Sequence, residues 1–265
     1  MEALQAFWLA FIQGFTEFLP ISSSGHLALV PHIMGWPDQG LGFDIAVHVG
    51  SLLAVVLYFR RDLCAILRDW YASVRGGPET AYSRLAWSIA VATVFVGVAG
   101  ALLESTVSTL LRNPVYIALA TLVFGVFMGL ADRYGKRQRN LEQIGWLDVI
   151  VIGLAQVLAL IPGTSRSGIT ITAGLVMGLT REAATRFSFL LAIPVILMAG
   201  IWQSRNLGET SLNGSWAEYI LGTTVSFVVA WLCIHFFLRY VARYSLLPFV
   251  IYRVILGVIL LLVFM

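Results

Sequence analysis

Long apolar runs separated by short polar segments are the main pattern along this chain. A helix needs about 20 apolar residues to cross the hydrocarbon core of a bilayer. Six runs reach or approach that length: residues 42–59, 85–104, 115–131, 185–203, 217–238 and 245–264. Membrane β-barrels are built instead from strands of about 10 residues with alternating polarity. The pattern therefore predicts an all-α polytopic membrane protein with six transmembrane helices.

Two further apolar regions, residues 3–35 and 145–178, are each interrupted by a polar breaker rich in proline, glycine and serine. The breakers are residues 20–26 and 162–168. Neither half of either region is long enough to span a bilayer. Irregular backbone at membrane depth is tolerated only where protein or a wet cavity surrounds it. We therefore predict two re-entrant helix–loop–helix hairpins.

The two interrupted regions are related to each other. Gln13 and Gly25 recur as Gln156 and Gly168, 143 residues later, and the serine loops between them align. Three crossings lie between the hairpins, so the second copy has to be inverted. Inverted repeats with broken helices near the midplane are a transporter architecture with the substrate site at the repeat interface.

This reading gives one membrane domain, residues 1–265, made of two repeats. Repeat one covers about 1–131 and repeat two about 145–265, joined by a basic cytoplasmic loop, 132–144. The repeats place the two serine-rich loops face to face.

Composition and charge agree with a membrane protein. Hydrophobic residues make up 59% and charged residues 12% of the chain, against about 25% charged in soluble domains. The net charge of +3 comes from arginines and lysines beside the apolar spans, which is the pattern that sets topology. No nucleic-acid partner is therefore predicted.

The positive loops predict sidedness, because cytoplasmic loops carry the excess of lysine and arginine. The predicted cytoplasmic residues are Arg60, Arg61, Arg68, Arg75, Arg84, Arg133, Lys136, Arg137, Arg139, Arg239 and Arg243. The loop near Arg112 and the loop 204–216 are predicted outside, together with both termini. The first hairpin then enters from outside and the second from the cytoplasm. No basic residue precedes Arg60, so a cleaved signal peptide is not expected.

Gln13 and Glu17 share one helix face just before the first breaker, because residues i and i+4 are neighbours on a helix. A carboxylate in the bilayer costs about 2.5–3.5 kcal/mol and usually faces a polar interior with a partner. A structural hydrogen bond accounts for Gln13 as well as a functional role does. For Glu17, which is followed by a polar loop, a metal-ligand role is favoured.

The first breaker places Ser22, Ser23, Ser24 and Gly25 before a helix that is predicted to start near His26. One serine is explained as an N-cap, but three are not. Free N–H groups at a helix start form an anion site.

The second breaker repeats this device with Ser165, Ser167 and Thr170. It adds Arg166, whose planar fork suits bidentate phosphate binding, although a buried arginine could also pair with Glu17 as structure alone. Two opposed helix starts, several hydroxyls and an arginine favour a bound polyanion, with phosphate the simplest.

His26 lies at the junction of the first breaker and its helix. An interior structural histidine is one interpretation, and a general base, general acid or phosphoryl acceptor is the other. His32, His48 and His235 do not lie beside a serine-rich loop, and we interpret them as structural. The chain has no zinc-ligand spacing, phosphate-binding glycine loop or dinucleotide fingerprint.

Together the two breakers closely resemble the motifs of the bacterial undecaprenyl pyrophosphate phosphatase family, the integral-membrane family associated with bacitracin resistance. Gln13-x-x-x-Glu17 fits the first motif of that family. Residues 162–170 match every fixed position of the second motif, Pro-Gly-x-Ser-Arg-Ser-x-x-Thr. The step Ser24-Gly25-His26 matches as well, and the span layout agrees over essentially the whole chain.

The resemblance implies hydrolysis of undecaprenyl pyrophosphate to undecaprenyl phosphate, which recycles the lipid carrier for peptidoglycan and other wall polymers. It implies a divalent cation, Mg²⁺ or Ca²⁺, held by Glu17 with Gln13 beside it. It also implies a multi-pass protein of the bacterial inner membrane with its site open to the outer side. The partners are then the polyprenyl pyrophosphate lipid and the membrane lipid, and a homodimer is compatible with this reading.

Carried over to this chain, the resemblance makes Glu17, Ser23, His26 and Arg166 the catalytic candidates. The candidates for holding the pyrophosphate are Ser22, Ser24, Gly25, Gly163, Ser165, Ser167 and Thr170. For the nucleophile we favour Ser23 with His26 as its base, over direct attack by His26 or by water.

A transporter or flippase of a phosphorylated polyprenyl lipid is the alternative function, because inverted repeats of this kind serve alternating access.

Overall fold

The computed structural model describes residues 2–109, 113–205 and 215–264, leaving aside the side chains of His32 and residues 104–109. Arg112, most of the loop 204–216 and the two terminal methionines lie outside this description. The α-helices in the described residues are α1 (Ala3–Thr16), α2 (Ser23–Met34), α3 (Leu41–Tyr58), α4 (Arg60–Val74), α5 (Ala81–Thr109), α6 (Pro114–Tyr134), α7 (Trp146–Val157), α8 (Arg166–Val176), α9 (Arg181–Ser204), α10 (Trp216–Val241) and α11 (Leu247–Phe264).

Six of these helices, α3, α5, α6, α9, α10 and α11, are long and apolar enough to cross a membrane. They coincide with the six spans that the apolar runs predict, which confirms an all-α polytopic membrane protein. The agreement follows from length, because a helix rises about 1.5 Å per residue and each of these runs covers the hydrocarbon thickness.

The segment after α3 differs from the prediction. The run of arginines predicts a positively charged loop, but residues Arg60–Val74 form helix α4. Asp62 lies in its first turn and Ile66 is buried against the core, while Arg68 is exposed. A helix with one apolar stripe and a charged face is amphipathic, and mean hydropathy over a long window does not reveal it.

The two interrupted regions form two pairs of short helices. The 14-residue α1 packs against the 12-residue α2, and α7 packs against the 11-residue α8. Ser22 and Ser165, which are 143 residues apart, are the N-cap residues of α2 and α8 and both have left-handed backbone, with φ of 73° and 70°. The same strained turn therefore opens both helices, although glycine would adopt it more easily.

Packing between the halves follows a reciprocal pattern. Helix α1 packs on α10 and α7 packs on α5, while α6 packs against α11 and α3 against α9. Small residues allow the close approaches that are typical of membrane helices. A Cβ on Gly14 would lie 2.6 Å from the Ser226 carbonyl oxygen of α10, and one on Gly153 would lie 2.6 Å from the Phe95 ring of α5.

The loop between α6 and α7 is fixed to the second half at its basic end. Arg139 donates two hydrogen bonds to the Asp148 carboxylate, at 2.8 and 2.6 Å. This bonding raises the pKa of Arg139. Its backbone pairs with Gly178 and Thr180, so the loop that we predict to be cytoplasmic is held to the start of α9.

Candidate active site

Glu17 lies where α1 ends and is surrounded by polar side chains from four helices, α1, α2, α3 and α8. Its Oε2 accepts hydrogen bonds from Gln13 Nε2 at 3.0 Å and from Ser23 Oγ at 2.6 Å. Its Oε1 accepts one from Arg166 at 3.0 Å. His48 Nε2 lies 3.9 Å from Oε2. The Glu17 side chain is only 8% exposed, so the arginine and the hydrogen bonds compensate a charge that would otherwise be costly at this depth.

The second breaker contacts the residue that precedes the first breaker. The Ser167 hydroxyl donates to the Leu19 carbonyl oxygen at 2.8 Å, so the start of α8 is tied to the end of α1. The Ser165 hydroxyl lies 3.2 Å from that of Ser167 and accepts the Gly168 N–H at 3.1 Å, as an N-cap does. These contacts bring the second serine loop to the residue before the first, and the face-to-face placement of the two loops stays a prediction.

The two helix starts differ in one respect. Ser165 caps α8 with its side chain, whereas no side chain caps α2. The Ser22 hydroxyl instead lies 3.4 Å from that of Ser24. The first N–H groups of a helix carry the positive end of its dipole and are the usual place for a phosphate. The start of α2, which includes Ser23 and Gly25, is therefore the one of the two helix starts whose N–H groups have no side-chain cap.

Arg166 is held on three sides. One guanidinium nitrogen contacts Glu17, another donates to the Ser188 carbonyl oxygen at 3.1 Å, and the group lies 6.0 Å from the centre of the Phe18 ring. The Thr170 hydroxyl lies 2.7 Å from the Ser188 hydroxyl and 2.9 Å from the Arg166 carbonyl oxygen. Thr170 therefore supports the arginine, and its hydroxyl is already engaged.

His26 is not paired with Ser23. Its Nδ1 lies 2.7 Å from the Ser22 carbonyl oxygen, and its Nε2 lies 2.5 Å from the Tyr252 hydroxyl. A carbonyl only accepts, so Nδ1 carries the proton and Nε2 accepts from Tyr252. The sequence suggested His26 as the base for Ser23, but in this arrangement the Ser23 hydroxyl is bonded to Glu17.

Similarity to known proteins decides the family. The sequence matches the family described as bacitracin resistance protein BacA over residues 6–259. The chain belongs to the BacA family. It is 54% identical to an undecaprenyl-diphosphatase of Chromohalobacter salexigens over 98% of both chains. Proteins with the same description from Nitrosococcus oceani and Thioalkalivibrio sulfidiphilus are each 51% identical, over 98% and 100% of both chains.

The residues that this BacA-family chain offers to a divalent cation are oxygen donors. No group of three or more His, Cys, Asp or Glu side chains that could bind a metal ion is found in the described ranges. Gln13 is fully buried. Its Nε2 donates to the Glu17 carboxylate, and its Oε1 has no hydrogen-bond partner. A hard cation such as Mg²⁺ uses one or two carboxylates and completes its shell with water and substrate phosphates. The pair fits that pattern, with most ligands left to the substrate.

Arg253 is the main residue that the sequence analysis missed. It is fully buried on α11 and donates to the carbonyl oxygens of Pro20, Thr121, Gly163 and Thr164, at 2.9–3.2 Å. These acceptors include both breakers, so one guanidinium holds the two loops together. An arginine inside an apolar span is a functional signal by default, and this was the signal available in residues 245–264.

Glycines leave the space that Arg253 fills. A Cβ on Gly168 would lie 2.9 Å from the Arg253 guanidinium, and one on Gly125 would lie 2.9 Å from its Cβ. Gly163 has φ +91°, and a Cβ there would lie 2.4 Å from the Ile117 carbonyl oxygen. Gly163 was predicted to bind substrate, and its visible role here is to let the second breaker approach α6.

His48 was interpreted as structural, but its Nε2 borders Glu17 and the ring is one-third exposed. Its Nδ1 lies 2.7 Å from the Asp44 carbonyl oxygen, so Nδ1 donates and Nε2 faces the site. His235 stacks on Trp231, which agrees with a structural role. Only the tertiary contact distinguishes His48 from His235.

Arg253→Met should lower the thermal midpoint of the purified protein, because four buried carbonyl groups lose a donor. A buried acceptor without a hydrogen bond costs about 1–3 kcal/mol. With four such acceptors, we expect the free energy of unfolding to fall by more than about 3 kcal/mol. Arg253→Lys should recover only part of it, since one ammonium cannot reach all four acceptors. Thermal unfolding in detergent measures this, with Arg60→Lys on exposed α4 as the control. A wild-type midpoint for Arg253→Met would contradict the proposal that Arg253 holds the two breakers together.

Proposed function

We propose that this protein hydrolyses undecaprenyl pyrophosphate to undecaprenyl phosphate and phosphate, and so recycles the lipid carrier of cell-wall synthesis and confers bacitracin resistance. The observation that carries the proposal is the cluster of Glu17, Ser23 and Arg166, which puts a nucleophile, an acceptor for its proton and a phosphate-binding fork within hydrogen-bond distance. The names of the relatives and the BacA family support the substrate.

In the proposed reaction Ser23 is the nucleophile. A serine hydroxyl is weak at its normal pKa and needs an adjacent base, and Glu17 Oε2 is the base in contact with it. Oγ attacks the terminal phosphorus, the bond to the bridging oxygen breaks, and the proton passes to Glu17. The leaving polyprenyl monophosphate departs as an anion. Water then attacks the phosphoserine phosphorus, the bond from phosphorus to Oγ breaks, and Oγ takes its proton back from Glu17 as phosphate leaves.

Arg166 and the start of α2 bind the pyrophosphate in this scheme. The guanidinium exchanges its hydrogen bond to Glu17 for hydrogen bonds to the phosphate oxygens. Its bond to the Ser188 carbonyl oxygen keeps it in place. Backbone N–H groups near Ser24 and Gly25 add fixed positive dipoles. Ser165, Ser167 and Thr170 hold the second loop in position.

A divalent cation, Mg²⁺ or Ca²⁺, would be held by Glu17 and Gln13 together with substrate phosphate. It would supply charge neutralisation for the developing phosphate anion.

Phosphate release by the purified protein in detergent tests the proposal. We expect release of one phosphate per undecaprenyl pyrophosphate, dependent on a divalent cation. A transporter or flippase of the same lipid would release none, because detergent removes the two compartments that transport requires. Absence of phosphate release with well-folded protein would overturn the phosphatase.

Glu17→Gln should raise the Mg²⁺ concentration needed for activity before it impairs folding. The change removes a carboxylate that a hard cation prefers, and it also removes the insertion cost of a buried charge. The variant should be present in the membrane in normal amount. Higher Mg²⁺ should partly restore metal and substrate binding, but not the turnover that needs Glu17 to take the Ser23 proton. Asp148→Asn, which alters a buried carboxylate paired with Arg139, is the control. If Glu17→Gln is inactive only because it is absent from the membrane, Glu17 is structural.

We also propose that the chain is a multi-pass protein of the bacterial inner membrane whose site opens to the outer side. The two repeats, about 1–131 and 145–265, are then inverted around the contact of the breakers. The shared left-handed turns at Ser22 and Ser165 and the reciprocal packing of α1 on α10 and α7 on α5 support this arrangement.

Cysteine labelling tests the topology. Single cysteines are placed at the termini and at residue 136 in a background with Cys64 and Cys233 replaced by serine, because Cys64 is exposed. An impermeant reagent should label both termini in intact cells and leave residue 136 protected until the cells are broken. Labelling of residue 136 with protection of both termini would reverse the topology.

A further inference from the structure

A second groove lies on the side of α1 that faces away from the active site. It has a volume of about 980 Å³ and runs between α1, α10 and the turn into α11. Phe11 and Phe15 line it from α1, and Leu232 and Phe236 line it from α10. Arg239 and Arg243 line one end. The groove is therefore apolar along its length and positively charged at its end.

The groove is separate from the site around Glu17. Gln13 and Phe15 are two residues apart on α1, so they point about 200° apart around the helix axis. Gln13 is fully buried, whereas Phe15 is 46% exposed. The Phe11 and Phe15 rings stack at 6.1 Å and form one wall, so the helix itself divides this wall from the carboxylate.

The charged end has a specific geometry. Arg239 lies in the last turn of α10, Arg243 lies in the turn that follows Val241, and both are exposed. Both side chains line the same groove. The ion pairs formed by the described residues use other arginines, such as Arg139, Arg181 and Arg186, and none includes either of these two. Two guanidinium groups therefore border an apolar groove with no carboxylate to neutralise them.

Topology alone accounts for positive charge at this end of α10, and the helix dipole also favours cations at a C-terminus. Neither accounts for an aromatic groove that leads to the two arginines. At the same end the Tyr240 and Tyr244 rings stack at 5.2 Å. Aromatic rings with polar tips beside arginine are typical of the headgroup level of a bilayer.

We propose that this groove binds one anionic phospholipid from the adjacent leaflet. Arg239 and Arg243 contact the headgroup phosphate, and an acyl chain lies along Phe11, Phe15 and Phe236. Arginine is the side chain best suited to two-pronged phosphate contacts. A zwitterionic lipid brings its own positive group to the two guanidiniums, so its binding is weaker. From the usual strength of arginine–headgroup attraction we expect a preference of about 10- to 30-fold.

Lipid retention tests the proposal independently of any phosphatase activity. The intact protein is reconstituted in nanodiscs of equimolar phosphatidylglycerol and phosphatidylcholine, transferred to detergent, and examined by native mass spectrometry. The wild type should keep one phosphatidylglycerol. The double variant Arg239→Gln, Arg243→Gln should lose the preference for it. The matched double variant Arg60→Gln, Arg61→Gln removes two charges at the start of α4 and should keep it.

A third variant, Leu232→Trp, fills the groove and leaves both arginines in place. It should lose the retained lipid without a change in phosphate release, which also verifies the fold. Equal retention of the two lipids by the wild type would overturn the proposal. So would equal losses in the two double variants, which would indicate general surface charge. Displacement of phosphatidylglycerol by an equimolar amount of undecaprenyl phosphate would assign the groove to the product instead.

Discussion

Arg166→Lys is expected to be nearly as damaging as Arg166→Ala, with turnover reduced by about 10²–10³. In the structure the guanidinium holds Glu17 with one nitrogen and the Ser188 carbonyl with another. A lysine keeps the charge but has a single nitrogen, so it cannot hold the carbonyl and contact a phosphate with two parallel hydrogen bonds. The loss should appear in kcat more than in KM, because the fork acts on charge that develops during phosphoryl transfer.

Steady-state phosphate release measures this, with Arg139→Lys as the matched control. Arg139 also pairs with a buried carboxylate, Asp148, but in the loop between α6 and α7. Its replacement should leave turnover within a few-fold of the wild type. If Arg166→Lys keeps more than about a third of the wild-type activity, a point charge is sufficient at this position and the two-pronged contact is not needed.

The elements of this fold that sequence could predict are those with a local cause. The six spans follow from the length of apolar runs, and the two breakers follow from residues that interrupt a helix. The same reasoning placed Gln13 beside Glu17, because spacing of four puts them on one face, and they are bonded at 3.0 Å. Helix α4 was not predicted, because its apolar stripe is too narrow to raise the mean hydropathy of the segment.

The parts of the site that sequence did not predict depend on contacts between distant segments. Arg253 and Tyr252 on α11 reach breakers that are 89 to 233 residues away. His48 reaches Glu17 from α3. A charged residue in an apolar span was a visible warning for Arg253, but its four carbonyl acceptors could not be inferred without the fold.

The pairing of Ser23 with His26 was inferred from a spacing of three residues. In the structure α2 begins at Ser23 itself, one turn before the predicted start near His26. The hydroxyl at this first position points back to α1 and reaches Glu17, while the His26 ring is drawn to α11 by Tyr252. The spacing of three residues does not determine the hydrogen-bond partners, because Ser23 bonds to Glu17 at the end of α1 and His26 bonds to Tyr252 on α11.

The nucleophile gives the largest expected effect. Ser23→Ala should reduce turnover by at least about 10³-fold, because loss of a nucleophile removes the covalent route and leaves only binding and electrostatic assistance. Rapid-quench labelling with substrate labelled in the terminal phosphate should trap an adduct in the wild type that maps to residues 20–26. The adduct should be stable in acid and lost in alkali, as a phosphoserine is, and it should be absent in Ser23→Ala.

Ser24→Ala is the control for this experiment. Its hydroxyl contacts Ser22 at 3.4 Å and makes no bond to Glu17, so the variant should still form the adduct. A label that is stable in alkali, lost in acid and retained in Ser23→Ala would instead identify attack by His26. Full turnover with no label in any variant would favour direct attack by water. The contact of 2.6 Å between Ser23 and Glu17 favours the acid-stable phosphoserine adduct, because it already joins the hydroxyl to the group that has to take its proton.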